Sequence, residues 1–252
     1  MTAITAQKAP LPRNQSNEIF ASFIENSRRV AHNELLLAWS KNADKFDYRM
    51  CNTFFNNMKL RLSPTSQRLA LGLDLLKETA SSTEFDSLVD AFEHNIEDET
   101  GEGDPARSHA TLFKESFSFY IERVYNKKIS HEPPLASTIR FHEHSLTLFN
   151  ENVHCMLGAA VAQETHALPQ LELMYEGIKK QETYFSPQEW VTISDFYDIH
   201  LDGTEARHAE DLNRSIWETL DCQEKRDQFH QGYKTFISLQ EHFWAGLRQA
   251  VL

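Results

Sequence analysis

Three stretches of this 252-residue chain place carboxylates and imidazoles where they could act together. The first is Glu97-Asp98-Glu99-Thr100-Gly101-Glu102-Gly103-Asp104, followed by His109. A carboxylate there closes one helix and an imidazole sits one turn into the next, with a tight glycine turn able to bring both inward. Glu97, Asp98 and Asp104 read as a solvated helix end, whereas Glu99 and His109 are the candidates for chemistry. In the second stretch, Gly158-Ala159-Ala160-Val161-Ala162-Gln163-Glu164, a carboxylate follows small and apolar residues that should be buried. An isolated buried carboxylate costs several kcal/mol or more unless it is paired or bound to metal. Glu164 therefore needs a partner, unless its helix ends there and leaves it at the surface.

The third stretch runs from Phe196 to His208 and holds His200, Asp202, Glu205 and His208. On an ideal helix Glu205 lies about 140° and His208 about 80° around from His200, so the three diverge. A one-residue π-bulge near Asp202-Gly203 restores an effective spacing of four and three and puts them on one face. Together the stretches offer three carboxylates and three imidazoles from four helices, an oxygen and nitrogen ligand set suited to two irons or manganeses. It is not a zinc-finger pattern. The absence of two E-x-x-H repeats argues against the ferritin-like arrangement.

The elements that must position these residues read as helices throughout. Residues 1–16, with Pro10 and Pro12, read as a loose tail before one domain spanning 17–252. Apolar residues at Phe20, Phe23, Ile24, Val30, Leu35 and Trp39 predict one long amphipathic helix. Tyr48 to Leu62 predicts a second, Ser63-Pro64 opens a third that stops at Ser81 and Ser82, and a fourth covers Thr83 to Glu99. Asp104 with Pro105 caps a fifth, which carries His109 and ends near Tyr125. After Pro133-Pro134, Ser137 to about Ala167 forms a long helix with a kink at Pro169 before Leu168 to Gln181. Ser186-Pro187-Gln188-Glu189 opens another in capping-box style, and Glu205 to Leu252 stays helical with one turn near Asp221. No alternating strand of convincing length interrupts this. The fold class is all-α, a bundle of about seven to nine helices.

Composition excludes several roles. A net charge of −12 without a basic stripe argues against nucleic acid as a partner. No run of apolar residues is long enough to span a membrane, and the N-terminus lacks a signal-peptide core, so a cytoplasmic location is expected. Cys51, Cys155 and Cys222 are odd in number and far apart, which signals neither a disulfide framework nor a thiolate metal site.

Carried by Asp98 to His109, by Leu157-Gly158 leading to Glu164, and by His200 to His208, the sequence resembles the heme-oxygenase-like diiron oxidases, a family of iron-containing redox enzymes. Relatives in that family usually show H-x-x-x-D-x-x-H in the last site helix; here position 204 is Thr and 207 is Arg, each functional residue being displaced by one. The resemblance implies a heme-oxygenase-like bundle and two iron ions, cycling between Fe(II) and Fe(III), held by Glu99, His109, Glu164, His200, Glu205 and His208. Asp202 competes with Glu205 for that role and Glu102 with Glu99, and manganese remains an alternative to iron. It further implies O₂ as co-substrate and oxidation of a small amino-acid- or fatty-acid-derived molecule, by C–C cleavage, decarboxylation or N-oxygenation in natural-product biosynthesis. An external electron donor and a homodimer are compatible with it. Three other readings stand beside it: a metal-free TenA-like or PQQ-synthase-like enzyme on the same fold, a heme oxygenase using His32 of Arg28-Arg29-Val30-Ala31-His32, and a non-catalytic helical binding protein.

Overall fold

The computed structural model of the chain describes residues 13–79 and 85–252. Most of the expected tail, the stop at Ser81 and Ser82 and the start at Thr83 lie outside the described residues. Among those described, the architecture is all-α, with helices α1 (Arg13–Ala31), α2 (Glu34–Asn42), α3 (Tyr48–Leu62), α4 (Thr65–Thr79), α5 (Asp86–Thr100), α6 (His109–Tyr125), α7 (Ala136–Leu148), α8 (Val153–Lys179), α9 (Pro187–Leu201), α10 (Thr204–Ile216) and α11 (Gln223–Val251). None of the described helices is long and apolar enough to cross a membrane. Residues 13–16, expected in the tail, already belong to α1.

Two expected helices are cut in a different place. The first breaks at residues 32–33, where the Asn33 side chain caps α2 by accepting from the Leu36 amide at 3.1 Å. The helix expected from Ser137 onward breaks at residues 149–152, where Asn152 accepts from the amides of His154 and Cys155. Pro169, expected to mark a kink, lies inside the continuous α8. Proline removes one backbone hydrogen bond, but α8 is buried on nearly every side, and the surrounding helices keep it in place. Asparagine capping and tertiary packing thus overrode the proline signal.

Helix α8 is the central post of the bundle, and its run of small residues lets its neighbours come close. A Cβ on Gly158 would stand 1.9 Å from the Phe229 carbonyl oxygen of α11, and one on Gly232 of α11 would stand 1.8 Å from the Cys155 carbonyl oxygen. Each glycine seats the other helix's backbone. At the far end of α8, Trp39 of α2 donates its indole N–H to the Met174 carbonyl at 2.9 Å, lying over Gly177.

His166 of α8 shows how a core imidazole is kept neutral. Its Nδ1 donates to the Ser27 carbonyl and its Nε2 accepts the Trp244 indole N–H. Burial first, with the nearby Arg61 charge, pulls its pKa down to about 3. The unfolded chain protonates this residue below about 6.5, the folded one not until about 3, so the unfolded state binds the extra proton in that interval. Stability is expected to fall as pH drops from about 6.5 towards 3, at up to ~1.4 kcal/mol per pH unit from this residue. His166→Gln should flatten that slope in urea melts at pH 7, 6 and 5; an unchanged slope overturns the assignment.

Candidate metal centre

The six side chains singled out in the sequence come from α5, α6, α8, α9 and α10 and meet in one buried cluster. Helix α5 ends on Gly101 in the left-handed region at φ 87°, with the Glu102 amide bonded back to the Glu97 carbonyl at 2.8 Å. A Cβ on Gly101 would stand 2.3 Å from the Asp104 carbonyl oxygen, so the turn is tight enough to fold α6 straight back. Glu99 in the last turn of α5 then faces His109, the first residue of α6, with Glu99 Oε1 3.3 Å from His109 Nδ1. Glu102 points away in a left-handed conformation and is exposed, so Glu99 is the carboxylate brought to the cluster.

Glu164 lies in mid-α8, 4% exposed, because α8 continues well beyond it. The alternative of a surface Glu164 does not hold. Helices α9 and α10 are separated by Asp202 and Gly203, with Gly203 at φ 108°. This is a full helix break in place of the expected π-bulge. A bulge keeps the helix axis, whereas the left-handed glycine lets α10 start in a new direction, and the change of axis brings His200, Glu205 and His208 together. Asp202 is exposed and accepts from the Thr204 amide at 3.0 Å and the Thr204 hydroxyl at 2.7 Å, capping α10. Its carboxylate is committed there, and Glu205 is the acid turned inward.

Within the cluster His200 Nε2 lies 3.6 Å from Glu205 Oε1, and His208 Nδ1 lies 3.8 Å from Glu164 Oε2. The His109 and His200 rings are 4.1 Å apart between centroids. Two groups have the spacing to hold a cation: His109, His200 and Glu205, and Glu164, Glu205 and His208, each set of ligand atoms lying within 4.8 Å of one another. Glu205 belongs to both. Glu99 stands beside the first group through His109.

The outward ring nitrogens are also held. His200 Nδ1 bonds the Phe196 carbonyl one turn earlier, which leaves Nε2 free to face Glu205. His208 Nε2 bonds Asp98 Oδ2 at 2.7 Å, which leaves Nδ1 facing Glu164. Such anchoring of the second nitrogen fixes tautomer and orientation of metal-binding histidines. Asp98 was read from the sequence as a solvated helix end; instead its carboxylate is largely covered and bonds to His208. Nothing local in the sequence sets Asp98 apart from Glu97 and Glu99, because its partner lies 110 residues away.

Electrostatically the metal-free cluster is frustrated. Burial, followed by the charges of Glu164, Glu99 and Asp98, drives Glu205 well above the usual carboxylate range, and burial likewise raises Glu164. Burial also pushes Glu99 up, but the imidazoles, His109 foremost, outweigh it and hold Glu99 low. Burial and His109 pull His200 down to about 3. His109 Nδ1 is buried with Glu99 Oε1 at 3.3 Å and forms no well-aligned hydrogen bond. Carboxylates crowded together and a ring nitrogen left unsatisfied in the interior are what cations resolve. His32, the residue of the heme-oxygenase reading, is exposed at the α1–α2 break, outside the cluster.

A small cavity of ≈ 50 Å³ adjoins the cluster, lined by Glu99, His109, Glu164, His200 and Glu205 together with Arg61 and Arg68. Nothing in the sequence pattern singled out the arginines.

Residues 66–250 match the family model described as a domain of unknown function with a solved structure (DUF3865). Over 160 residues the chain is 26% identical to 4-chloro-allylglycine synthase of Streptantibioticus cattleyicolor, covering 62% of this chain and 57% of that protein. The chain thus spans little more than half the length of this relative. A TenA homolog from Pseudomonas syringae pv. tomato superposes with a TM-score of 0.71 at 11% identity, over 97% of this chain and 98% of that one. A domain of unknown function with a heme oxygenase-like fold from Shewanella denitrificans superposes with a TM-score of 0.63 at 14% identity, over 95% and 93%. At these identities the likeness shows a shared fold, the heme-oxygenase-like helical bundle.

Proposed function

Because the chain belongs to the DUF3865 family, has the heme-oxygenase-like fold and buries this cluster, we propose that it is an O₂-dependent non-heme diiron oxidase or oxygenase acting on a small amino-acid- or fatty-acid-derived substrate. One observation carries the reading: two three-residue groups of buried His and Glu share Glu205. The similarity to 4-chloro-allylglycine synthase, an enzyme whose product is by name an amino acid, supports that substrate class.

The residues fit two cations. His109, His200 and Glu205 would hold one and Glu164, Glu205 and His208 the other, with Glu99 beside His109 completing the set. Mixed imidazole and carboxylate ligands suit iron and manganese better than calcium or magnesium. Bound there, two ferrous ions would supply the electrons and open coordination positions for O₂ activation. The chain's own contribution is separate. Phe196 lies tilted against His200, 4.5 Å between ring centroids, and with Leu171 and Ala167 gives the cavity an apolar wall. The Phe196 carbonyl and Asp98 hold the His200 and His208 rings in the tautomers that face inward. Burial raises the pKa of Glu205 and Glu164, so bound cations would favour their ionised forms.

The test is anaerobic Fe(II) titration of the metal-free protein followed by O₂ exposure. Two irons per chain and a transient visible absorption are expected, whereas no specific iron uptake sinks the reading. The role of Asp98 gives a second expectation. Asp98→Asn keeps the shape of the contact but removes the charge that makes His208 a stronger donor, and should weaken Fe(II) affinity by about 10- to 100-fold in chelator competition. Wild-type affinity in this variant would show that Asp98 does not position His208.

A further inference from the structure

Arg61 of α3 and Arg68 of α4 are among the least expected residues in the interior, at 4% and 3% exposure. Arg61 donates from Nε and Nη2 to a single oxygen, Gln240 Oε1, at 3.0 and 2.9 Å. Arg68 donates to Gln163 Oε1 at 2.7 Å, to the Thr65 hydroxyl at 3.0 Å and, at 3.4 Å, to the Arg61 carbonyl. Every one of these acceptors is neutral. Each guanidinium has five N–H donors, so the bonds formed leave about half of the ten unused. Their faces lie on aromatic rings, Arg61 within 5.4–5.6 Å of Phe141, Phe243 and Trp244, and Arg68 5.7 Å from Phe141. Such contacts stabilise a cation modestly and do not replace a counter-charge.

Both arginines line the same cavity as the cluster. Burial pulls Arg61 down to about 9 and Arg68 to about 10, so both stay cationic at neutral pH. In the metal-free protein Glu99 and Glu164 act on Arg68 across the cavity. Two divalent cations would be matched in charge by Glu99, Glu164, Glu205 and Asp98, and the guanidiniums would then have no counter-charge of their own. Gln170 adds an independent observation: it lines this cavity, is 2% exposed, and its Oε1 has no hydrogen-bond partner. It stands on α8 one turn beyond Ala167 and two turns beyond Gln163.

We propose that Arg61 and Arg68 form an anion subsite that receives the carboxylate of the substrate, while Gln170 Oε1 accepts from a donor group on the same molecule. The inference rests on the diiron reading for what the other end of the substrate meets, but the subsite itself is made by these residues. A planar carboxylate suits guanidinium forks bidentately. Fixed there, the substrate carboxylate stays off the metal ligands, and the carbon or nitrogen to be oxidised is presented to the cluster. The molecule recognised is a small carboxylate bearing an amino or hydroxyl group.

The test is calorimetric titration of the Fe(II)-loaded protein, kept anaerobic, with butanoate, 2-aminobutanoate and the neutral butanamide. Butanoate should bind at least tenfold more tightly than butanamide, and 2-aminobutanoate more tightly than butanoate. Arg61→Lys and Arg68→Lys, which keep the charge but lose the fork, should each weaken butanoate at least fivefold while the iron stoichiometry stays at the wild-type value. Equal binding of butanoate and butanamide overturns the subsite without recourse to any variant. Butanoate affinity unchanged in both variants overturns it too, because the carboxylate would then sit on the metal. If the protein takes up no iron yet distinguishes butanoate from butanamide through these arginines, the subsite stands and the diiron reading falls.

Discussion

Glu205→Gln is expected to remove both irons at once. Glu205 is the one side chain common to the two cation-binding groups, so its loss leaves each with at most one carboxylate: His109 and His200 with Glu99 beside them on one side, Glu164 and His208 on the other. Iron content should drop from two per chain to well below one. The amide keeps the volume of the acid, so the helical circular-dichroism signal should be unchanged. Stability of the metal-free protein should hold or rise, because in the absence of cations burial and the charges of Glu164, Glu99 and Asp98 all disfavour an ionised Glu205. Iron removed from the medium should destabilise the wild type and not the variant, since ligands that bind only the folded state add to its stability. Glu102→Gln and Asp202→Asn are the controls: both residues are exposed, and both should load iron normally. Normal loading of Glu205→Gln would remove the basis for a shared ligand.

Gly232→Ala should produce the largest loss of stability from a single methyl group. The added Cβ would lie 1.8 Å from a backbone oxygen, Cys155 O, and 2.6 Å from its carbon, so no side chain can swing aside to make room. Helices α8 and α11 have to separate along the contact that also contains Gly158 against Phe229. Alanine gains about 1 kcal/mol of helix propensity over glycine, yet overpacking of this kind should leave a net cost on the order of 2–3 kcal/mol. For a domain of this size that is a Tm lower by roughly 5–10 °C. Because Glu164 lies less than two turns beyond Gly158 on α8, weaker iron binding should accompany the shift. A Tm equal to that of the wild type would mean that the two backbones do not touch there.

The six side chains that the fold brings together were singled out in the sequence, Glu164 by a conflict between burial and charge and Glu205 and His208 through the family resemblance. A carboxylate after Gly158-Ala159-Ala160-Val161-Ala162 is anomalous on its face, and so are two imidazoles flanking Glu205 in a stretch of otherwise helical pattern. The all-α class followed just as directly from 3.6-residue periodicity and the lack of any convincing alternating strand in the sequence. Helix ends were legible where a local hydrogen bond decides them, as with Ser186 and Glu189, whose reciprocal cap opens α9. They were misjudged where side chains cap without a conspicuous motif, as at Asn33 and Asn152, and where packing holds a proline inside α8.

What the sequence determined by itself was therefore the supply of candidate ligands, the helical character of the elements that bear them, and an acidic net charge of −12. What only the tertiary structure decided was direction. Periodicity describes the face of one straight helix, and the cluster exists because Gly101 and Gly203, both at positive φ, end two helices and point the next ones back. That choice turned Glu99 and Glu205 inward and left Glu102 and Asp202 in water. Pairing across helices was likewise decided only by packing: Asp98 with His208, 110 residues apart, and Arg68 with Gln163, 95 residues apart. Such contacts carry no local signature, because the free energy that selects them is the cost of leaving a buried charge without a partner, and that cost is set by what the fold brings alongside.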